Sequence, residues 1–461
     1  MISHSSFRTQ DSSFAISHSS FPIHHSSFEQ LLLAALAAAS VLAQTQARGE
    51  DWPQWRGPNR DGRASAVSLN HDWSAHPPAL LWMTDGIGAG FASVAVRGER
   101  IYVGGDLEQG QGVTALNRAD GAVLWKSTLT ESVPRHDSPG ARCTPTLDGD
   151  RLYMVTSNGA LHCLAVADGA VLWQKDFERE WGGKMMSGWG FSESPLVDGD
   201  RLVCTPGGPQ ALVVALNKET GVEIWRGTLP DIGSNGDDGA GYSSIVISEG
   251  GGLRQYIQLV GRGLVSFRSD NGAFLWGYNR IANGTANIPT AIVQDDLVFA
   301  SSGYGTGAAL LRLSAAGSGV RAEEVYFLDG DTFQNHHGGM VLVGDYIYAG
   351  HGHNRGRPIC IELETGRVAW GGRELEAPGD GSAAVLYADG HLVFRYQDGT
   401  VALIEAVPEE YRLKGTFTPE FVKKPSWAHP VIVDGRLYLR EDSRLMCYSL
   451  QPPTATALLR R

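Results

Sequence analysis

A seven-residue motif, A-D-G-A-V-L-W, occurs twice in the chain, and related versions of it recur at nearly constant spacing. Five versions end in a tryptophan, and these are Trp125, Trp173, Trp225, Trp276 and Trp370. Successive tryptophans are 48, 52, 51 and 94 residues apart, so the last interval covers two periods. Degenerate copies at Leu311–Phe327 and Ala402–Phe417 fit the same spacing. A period near fifty residues, made of short strands and turns, predicts a β-propeller.

Each period contains four predicted strands joined by tight turns. V-D-G-D at Val197–Asp200 is one such turn, because Asp-Gly readily adopts the backbone of a hairpin. Arg151–Thr156 alternates polar and apolar residues, as expected for a half-buried strand. The recurring tryptophan is large enough to fill the wedge between neighbouring sheets, and we expect it to do so.

The predicted strands close a ring of eight blades. Three strands at the end of the chain, 426–433, 436–441 and 445–450, lack a fourth, while Ala79–Met83 is a strand without a sheet. We therefore predict an all-β fold, an eight-bladed propeller of four-stranded antiparallel blades, closed by an N-terminal strand that completes the last blade. The predicted blade ends are Trp82, Trp125, Trp173, Trp225, Trp276, about Phe327, Trp370 and about Phe417.

The chain ends differ in composition from the repeats. Residues 1–30 are of low complexity and are predicted to be either disordered or a wrongly assigned start. Residues 31–47 contain a short apolar run of the kind found in signal peptides, which predicts a periplasmic or secreted protein. Residues 48–76 are predicted to pack on the propeller as an extension, 77–450 to form the propeller, and 451–461 to be a flexible tail.

The net charge of −12 disfavours nucleic acid and anionic lipid as partners, because both are bound through basic surfaces. No other long apolar run follows the predicted signal peptide, so we expect no transmembrane segment in the mature chain, and we predict a monomer. The five cysteines form no C-x-x-C pair. Cys163, Cys360 and Cys447 occupy a slot that Ala and Ser fill in other repeats, which predicts buried thiols.

The repeat A-x-[D/N]-x-x-[T/D]-G-x-x-x-W resembles the PQQ-like repeat of the pyrroloquinoline-quinone dehydrogenases over about Asp51–Leu450. That family also contains the BamB-like outer-membrane assembly scaffolds. D-W-P-Q-W-R-G-P-N-R-D-G at Asp51–Gly62 resembles the mature start of exported bacterial propellers of this group. The resemblance is specific for the fold and says little about function.

One face of the predicted propeller carries long loops, whereas the other has only short Gly turns. Binding sites commonly lie on elaborated loops of a rigid scaffold, so we place the candidate site there, at the mouth of the central channel. A polar, water-filled channel is the alternative. The predicted ligand-binding residues are Arg142, Trp189, Glu193, Tyr242, Asn287, Tyr304, His337, His351, His353 and Trp427.

Four histidines lie close together within Asn335–Asn354. His336 and His337 are expected to point in opposite directions, because neighbours on an extended strand do so. His337, His351 and His353 could converge on zinc or copper. Ligand contact and structural hydrogen bonding are the two alternatives to a metal site.

We predict a non-catalytic binding or scaffold protein of the cell envelope, whose partner is an envelope protein or a small polar ligand. Two alternatives remain, a PQQ-dependent alcohol or sugar dehydrogenase and a receptor for a small molecule or metal. The resemblance implies that a dehydrogenase would hold its quinone with a calcium ion bound by Glu, Asn and Asp. Glu193, Asn287 and Asp137 could supply that set, although their spacing does not require it, and the adjacent cysteine pair of many such enzymes is missing.

Overall fold

The structure is a computed structural model that describes residues 51–65 and 68–452. The predictions for residues 1–30 and 31–47, and for most of the tail, lie outside the described residues. The described part contains eight four-stranded antiparallel sheets, so the predicted all-β eight-bladed propeller is confirmed. Within this part, no helix is both long enough and apolar enough to cross a membrane.

The first four blades follow one another along the chain. Their strands are β2 (Val94–Arg97), β3 (Arg100–Asp106), β4 (Gln111–Asn117), β5 (Val123–Thr128), β6 (Thr146–Asp148), β7 (Arg151–Val155), β8 (Ala160–Ala165), β9 (Val171–Asp176), β10 (Leu196–Asp198), β11 (Arg201–Cys204), β12 (Val213–Asn217), β13 (Glu223–Gly227), β14 (Val246–Ser248), β15 (Gln255–Val260), β16 (Gly263–Arg268) and β17 (Phe274–Tyr278). A short helix, α1 (Phe177–Trp181), lies in the loop between the second and third blades.

Blades five to seven repeat the same order of strands. They contain β18 (Ile292–Gln294), β19 (Leu297–Ser302), β20 (Gly307–Ala316), β21 (Gly319–Asp329), β22 (Met340–Val343), β23 (Tyr346–His351), β24 (Arg357–Glu362), β25 (Val368–Gly371), β26 (Ala383–Ala388), β27 (His391–Tyr396), β28 (Val401–Glu405) and β29 (Leu413–Phe417). In blades one to seven the first strand along the chain is innermost, and in the eighth blade the innermost strand is Val431–Val433. The eight loops that precede these inner strands therefore meet around the axis.

The eighth blade joins the two ends of the repeat region. β30 (Val431–Val433), β31 (Arg436–Glu441) and β32 (Arg444–Ser449) come from the end of the chain, and β1 (Ala79–Thr84) pairs antiparallel with β32 as the outermost strand. The predicted closure by the N-terminal strand is therefore confirmed. Closing the ring in this way ties the start of the propeller to its end through backbone hydrogen bonds.

The predicted small-residue slot faces the recurring ring inside each regular blade. Ala115 pairs with Trp125 and Cys163 with Trp173, and a one-residue register shift follows immediately. The same shift between the third and outermost strands recurs in all eight blades. A bulge leaves one residue unpaired and increases the local twist of the sheet. Cys163, Cys360 and Cys447 are free and buried, which confirms the predicted buried thiols, and Cys143 and Cys204 are free and buried as well.

The tryptophan of one blade packs on the turn glycine of the next. An ideal Cβ on Gly221 would lie 2.8 Å from the Trp173 ring, and Gly169 meets the Trp125 ring in the same way. The Trp173 indole N–H also donates to the Lys218 carbonyl of the next blade at 3.2 Å. A glycine is needed at these turns because a side chain would occupy the space of the ring, and because the backbone there has a positive φ.

Two blades carry a residue other than tryptophan at the ring position. In the fifth blade Tyr326, one position before the predicted Phe327, pairs at the ring position and donates to the Leu363 carbonyl at 2.6 Å. In the seventh blade Gly415, not Phe417, occupies that position. Trp73 from the N-terminal extension is 1% exposed and packs directly on Gly415. The contact with Gly415 is made by the Trp73 main chain and Cβ, and the Trp73 ring packs edge-on against Phe417 at 5.5 Å between centroids. The extension therefore adds an aromatic ring to the core beside the seventh blade.

We predict that Gly221→Ala destabilises the propeller more than Gly199→Ala. Both glycines have a positive φ, but a Cβ on Gly199 meets no atom within 4 Å, whereas one on Gly221 overlaps Trp173. The backbone cost common to both is about 1–2 kcal/mol, and overpacking adds about 1–3 kcal/mol for Gly221→Ala. Thermal unfolding of the two variants measures the difference. Equal midpoints would show that the contact between ring and glycine does not stabilise the ring of blades.

Candidate functional site

The N-terminal segment 51–64, here called the plug, closes the central channel from the face with short turns. Trp52 exchanges two backbone hydrogen bonds with Val96 of the first blade, and the Pro53 carbonyl accepts from Leu147 of the second. Later residues of the segment contact further blades. Arg60, for example, donates to the Ile245 carbonyl of the fourth blade at 2.8 Å. The segment thus crosses the axis and gives the channel a floor.

Above the plug lies a cavity of about 320 Å³, reached from the face with the long loops. Ten of its twenty-one lining residues carry aromatic or imidazole rings. Most of these rings come from loops that precede inner strands, whereas Tyr304 and His353 come from loops between the second and third strands of their blades. Trp55 and Arg56 of the plug line the cavity from below. The rings are Trp55, Phe91, Trp189, Tyr242, Tyr304, His336, His337, His353, Trp427 and His429.

One side of the wall is a continuous series of ring contacts. Tyr304 and His353 are 4.4 Å apart between ring centroids, and His353 and His336 are 4.2 Å apart. His336 continues to His337 at 4.2 Å, and His337 to Trp427 at 5.1 Å. Three blades contribute to this series, which we call the collar, and their packing holds each ring in place.

The collar also includes the opposite side of the wall, where Phe91, Arg142, Trp189 and Tyr242 continue the series of contacts. Trp427 contacts Phe91 at 5.0 Å, and the Arg142 guanidinium lies 5.4 Å from the Phe91 ring centroid. Arg142 also donates to the Trp189 carbonyl at 2.9 Å, and Trp189 contacts Tyr242 at 5.9 Å. The collar therefore encloses the cavity with flat apolar faces and one positive charge.

Two guanidinium groups give the cavity a positive charge. Arg142 donates to backbone carbonyls, including Ser138 at 2.6 Å, and burial lowers its pKa to about 10. Arg56 is 5% exposed, donates to the carbonyls of Asp61 and Met340, and has its pKa lowered by burial to about 10. Both groups are still charged at neutral pH, and no described Asp or Glu lines the cavity.

The imidazoles of the collar are neutral at the same pH. Burial lowers the pKa of His336 to about 2, and the neighbouring His337 and His353 lower it further. Burial likewise lowers the pKa of His337 to about 3. Within the described part of the chain, His337 Nε2 and His353 Nδ1 are buried without a hydrogen-bond partner. These nitrogens and the two guanidinium groups are among the polar groups of the lining residues, together with the hydroxyls and amides of Ser192, Tyr242, Ser244, Thr290, Asn354 and Gln397.

Most of the predicted site residues come together in this cavity. Arg142, Trp189, Tyr242, Tyr304, His337, His353 and Trp427 line it. Sequence reasoning missed the other fourteen lining residues, among them Trp55, Arg56, Phe91, His336 and His429. Phe91 and His429 could have been found, because each lies just before an inner strand, as Arg142 does. Trp55 and Arg56 carry no local signal, because only the path of the plug brings them to the axis.

Glu193 does not lie at the channel mouth, which corrects that prediction. It is 3% exposed and accepts from the Thr205 N–H at 2.6 Å and the Thr205 hydroxyl at 2.9 Å. Gln258 of the next blade also donates to it, at 3.3 Å. The side chain therefore connects the third and fourth blades, and burial raises its pKa to about 8.

Asn287 and His351 also lie outside the cavity. The Asn287 amide donates to the Val260 and Gly261 carbonyls, both at 3.0 Å, so it fixes the loop before the fifth blade. His351 Nδ1 accepts from the Gln334 N–H at 3.3 Å. Its ring lines a separate cavity of about 490 Å³. Both side chains turn away from the axis because the backbone of the loops uses their hydrogen-bonding groups.

The expected opposition of His336 and His337 is wrong, because residues 335–339 form a loop and β22 begins only at Met340. Both rings line the cavity. The proposed metal trio of His337, His351 and His353 does not converge, since His351 faces elsewhere. Among residues 51–65 and 68–452, no group of three or more His, Cys, Asp or Glu is arranged to hold a metal ion.

The calcium site of the dehydrogenases does not fit these residues. Calcium takes oxygen ligands and favours carboxylates, and no described carboxylate lines the cavity. Glu193 and Asn287 are engaged between blades and within a loop, and Asp137 lies exposed in the loop after the first blade. The three residues considered for calcium therefore do not form a ligand set.

Glu193→Gln is predicted to change how stability depends on pH. The folded protein holds the Glu193 proton up to pH about 8, whereas a carboxyl of ordinary pKa 4.5 releases it earlier. The protonated Glu193 carboxyl therefore contributes its full share to the free energy of unfolding below pH 4.5. This contribution is lost as the pH rises through 8, at up to about 1.4 kcal/mol per pH unit. Denaturant unfolding between pH 5 and 9 should show a shallower loss of stability in Glu193→Gln than in the wild type. The exposed control Glu219→Gln should follow the wild type, and identical slopes in all three proteins would contradict the assignment.

A family model described as outer membrane protein assembly factor BamB matches residues 109–371. BamB from Moraxella catarrhalis is similar in structure, with a TM-score of 0.55, 13% identity, and coverage of 81% of this chain and 99% of that chain. Quinohemoprotein alcohol dehydrogenase from Comamonas testosteroni has a TM-score of 0.61 at 13% identity and covers 90% of this chain and 83% of its own. Identities this low show a common fold and nothing further.

Two other similarities complete the comparison. Quinohemoprotein alcohol dehydrogenase ADHIIG from Pseudomonas putida HK5 has a TM-score of 0.60 at 14% identity and covers 88% of this chain and 82% of its own. The uncharacterized protein RC0314 of Rickettsia conorii is 37% identical over 71 residues. That match spans 14% of this chain and 17% of the relative, so the chain covers less than a fifth of the curated relative it matches.

Proposed function

We propose a binding function for this chain, which belongs to the family described as outer membrane protein assembly factor BamB. It acts as a non-catalytic binding protein or scaffold of the cell envelope, and its ligand, or a segment of a partner protein, enters the cavity above the plug. The envelope location is supported by the apolar run within residues 31–47 and by the description of the family.

One observation carries the proposal: the cavity has a floor, rigid ring walls and buried nitrogens without partners. Buried polar groups in proteins are nearly always paired in a hydrogen bond. Here His337 Nε2, His353 Nδ1 and Arg56 Nη1 are buried and unpartnered around one space. Leaving such groups unpaired costs about 1–3 kcal/mol each, so a ligand that pairs with them gains that free energy.

The chemistry of the wall favours binding over catalysis. The groups facing the cavity are charged guanidiniums, neutral imidazoles of low pKa, and aromatic rings. A general base is most effective when its pKa lies near the working pH. The pKa values of His336 and His337 lie well below neutral pH, so neither imidazole is matched to that task. These groups are suited to hold a molecule in one orientation.

We predict that Ser192→Trp blocks the site. Ser192 is half-buried at the cavity wall and its hydroxyl donates to the Gly190 carbonyl at 3.2 Å, so an indole there projects into a space of about 320 Å³. The protein is purified from the envelope of its own host and analysed by native mass spectrometry. Wild type should retain a bound species, and Ser192→Trp should retain less than about a tenth as much.

The matched control is Ser318→Trp, at the exposed tip of the hairpin between β20 and β21. It should retain the same species as the wild type. If wild type and Ser192→Trp carry the same species in the same amount, or if the wild type carries none, the cavity is not the binding site.

A further inference from the structure

We propose that the cavity selects an organic anion, whose acidic group lies on the floor beside Arg56 and His337 and whose apolar body packs inside the collar. This inference rests on the proposed binding function and names the class of ligand. It is carried by the charge of the wall, by the position of the unpartnered nitrogens and by the shape of the rings.

The positive charge of the cavity favours an anion as the ligand. Arg56 and Arg142 both line it, and the hydrogen-bond acceptors of their guanidiniums among the described residues are carbonyl oxygens and the His136 ring. No described carboxylate lies in the wall. Charged hydrogen bonds to a carboxylate are about twice as strong as neutral ones. Against the larger effect of burial, the Asp61 carboxylate raises the pKa of Arg56 and the Asp106 carboxylate raises that of Arg142, but neither carboxylate lines the cavity. A ligand that brings a negative charge into the cavity therefore adds the anionic partner that both guanidiniums lack there.

The unpartnered nitrogens give the acidic group a position. Arg56 Nη1 is a buried donor without a partner, and His337 Nε2 is a buried ring nitrogen without a partner. Gly339 lies between Arg56 and His429. A Cβ on Gly339 would overlap Arg56 Nη1 and would lie 3.2 Å from His429 Cε1. The absence of a side chain at Gly339 therefore lets the guanidinium reach the cavity floor beside the imidazoles.

An aromatic cavity could also hold an organic cation through the faces of its rings. That alternative conflicts with the two arginines, because a cation among the same rings would face like charges at short range. Buried charges interact strongly where water is excluded. The same rings provide flat apolar surfaces for the body of an anion, so ring packing and charge are both satisfied by an anion with an apolar body.

Three probes of nearly equal size and different charge test the inference. They are 2-naphthoate, its neutral amide 2-naphthamide, and the cation 2-naphthylmethylammonium, each titrated into the full protein by isothermal calorimetry. We expect 2-naphthoate to bind at least about tenfold more tightly than either other probe, since one charged hydrogen bond accounts for that ratio. Equal binding of the three probes, preference for the amide or the cation, or no binding of 2-naphthoate overturns the inference. This comparison uses only the wild type and does not depend on how variants fold.

Two plug variants locate the acidic group. Arg56→Gln removes the charge on the floor, and we expect it to weaken 2-naphthoate at least about tenfold while leaving 2-naphthamide unchanged. Arg60→Gln is the matched control, because Arg60 is also buried in the plug and donates to the Ile245 and Ser194 carbonyls, but it does not line the cavity. If the control weakens 2-naphthoate as much as Arg56→Gln does, loosening of the plug explains the loss, and the assignment of Arg56 is wrong.

The two proposals fail in different ways. If the host-purified protein carries a neutral or cationic species that Ser192→Trp loses, the binding function stands and the anion inference falls. If neither Ser192→Trp nor its control alters what the protein carries, the binding function itself falls. Tight binding of 2-naphthoate that Ser192→Trp abolishes supports both.

Discussion

The contact between the ring of one blade and the turn glycine of the next determines how the blades are placed. At Trp173 the ring lies where a Cβ of Gly221 would be, and the indole N–H reaches a carbonyl three residues before that glycine. Each such contact fixes the distance and angle between two sheets. Such a contact is present at five of the boundaries, at Gly121, Gly169, Gly221, Gly272 and Gly366. Together with the closing strand of the eighth blade, these contacts hold the sheets in a ring, and the ring sets the width of the channel in which the cavity lies.

The N-terminal extension makes two separate contributions to this ring. Trp73 packs with its main chain and Cβ on Gly415 and with its ring on Phe417, so it adds a buried ring beside the seventh blade. Further toward the N-terminus, the plug closes the axis and places Trp55 and Arg56 in the cavity wall. One segment therefore completes both the scaffold and the site. As a result, the floor of the cavity forms only when the ends of the chain have assembled with the eight blades.

Features encoded within one repeat could be predicted from the sequence. The blade number, the closing strand and the small-residue slot opposite each ring all follow from the pattern around residues such as Cys163 and Trp173. The roles of Trp73 and Arg56 could not be predicted, because each depends on contacts with residues hundreds of positions away, as when Arg56 reaches Met340. Glu193 lies in the predicted loop, but its side chain accepts hydrogen bonds from the third and fourth blades and does not line the cavity. No pattern in the neighbouring residues indicates that the side chain points away from the channel.

The closed propeller binds an organic anion at the bottom of an aromatic cavity, with the acidic group beside Arg56 and His337. A crystal structure of the complex with 2-naphthoate tests this most directly. We expect the carboxylate within hydrogen-bonding distance of Arg56 Nη1 and His337 Nε2, the naphthyl ring within the collar, and the plug in place. A carboxylate directed to solvent, a ligand bound outside the cavity, or a plug displaced from the axis would contradict it.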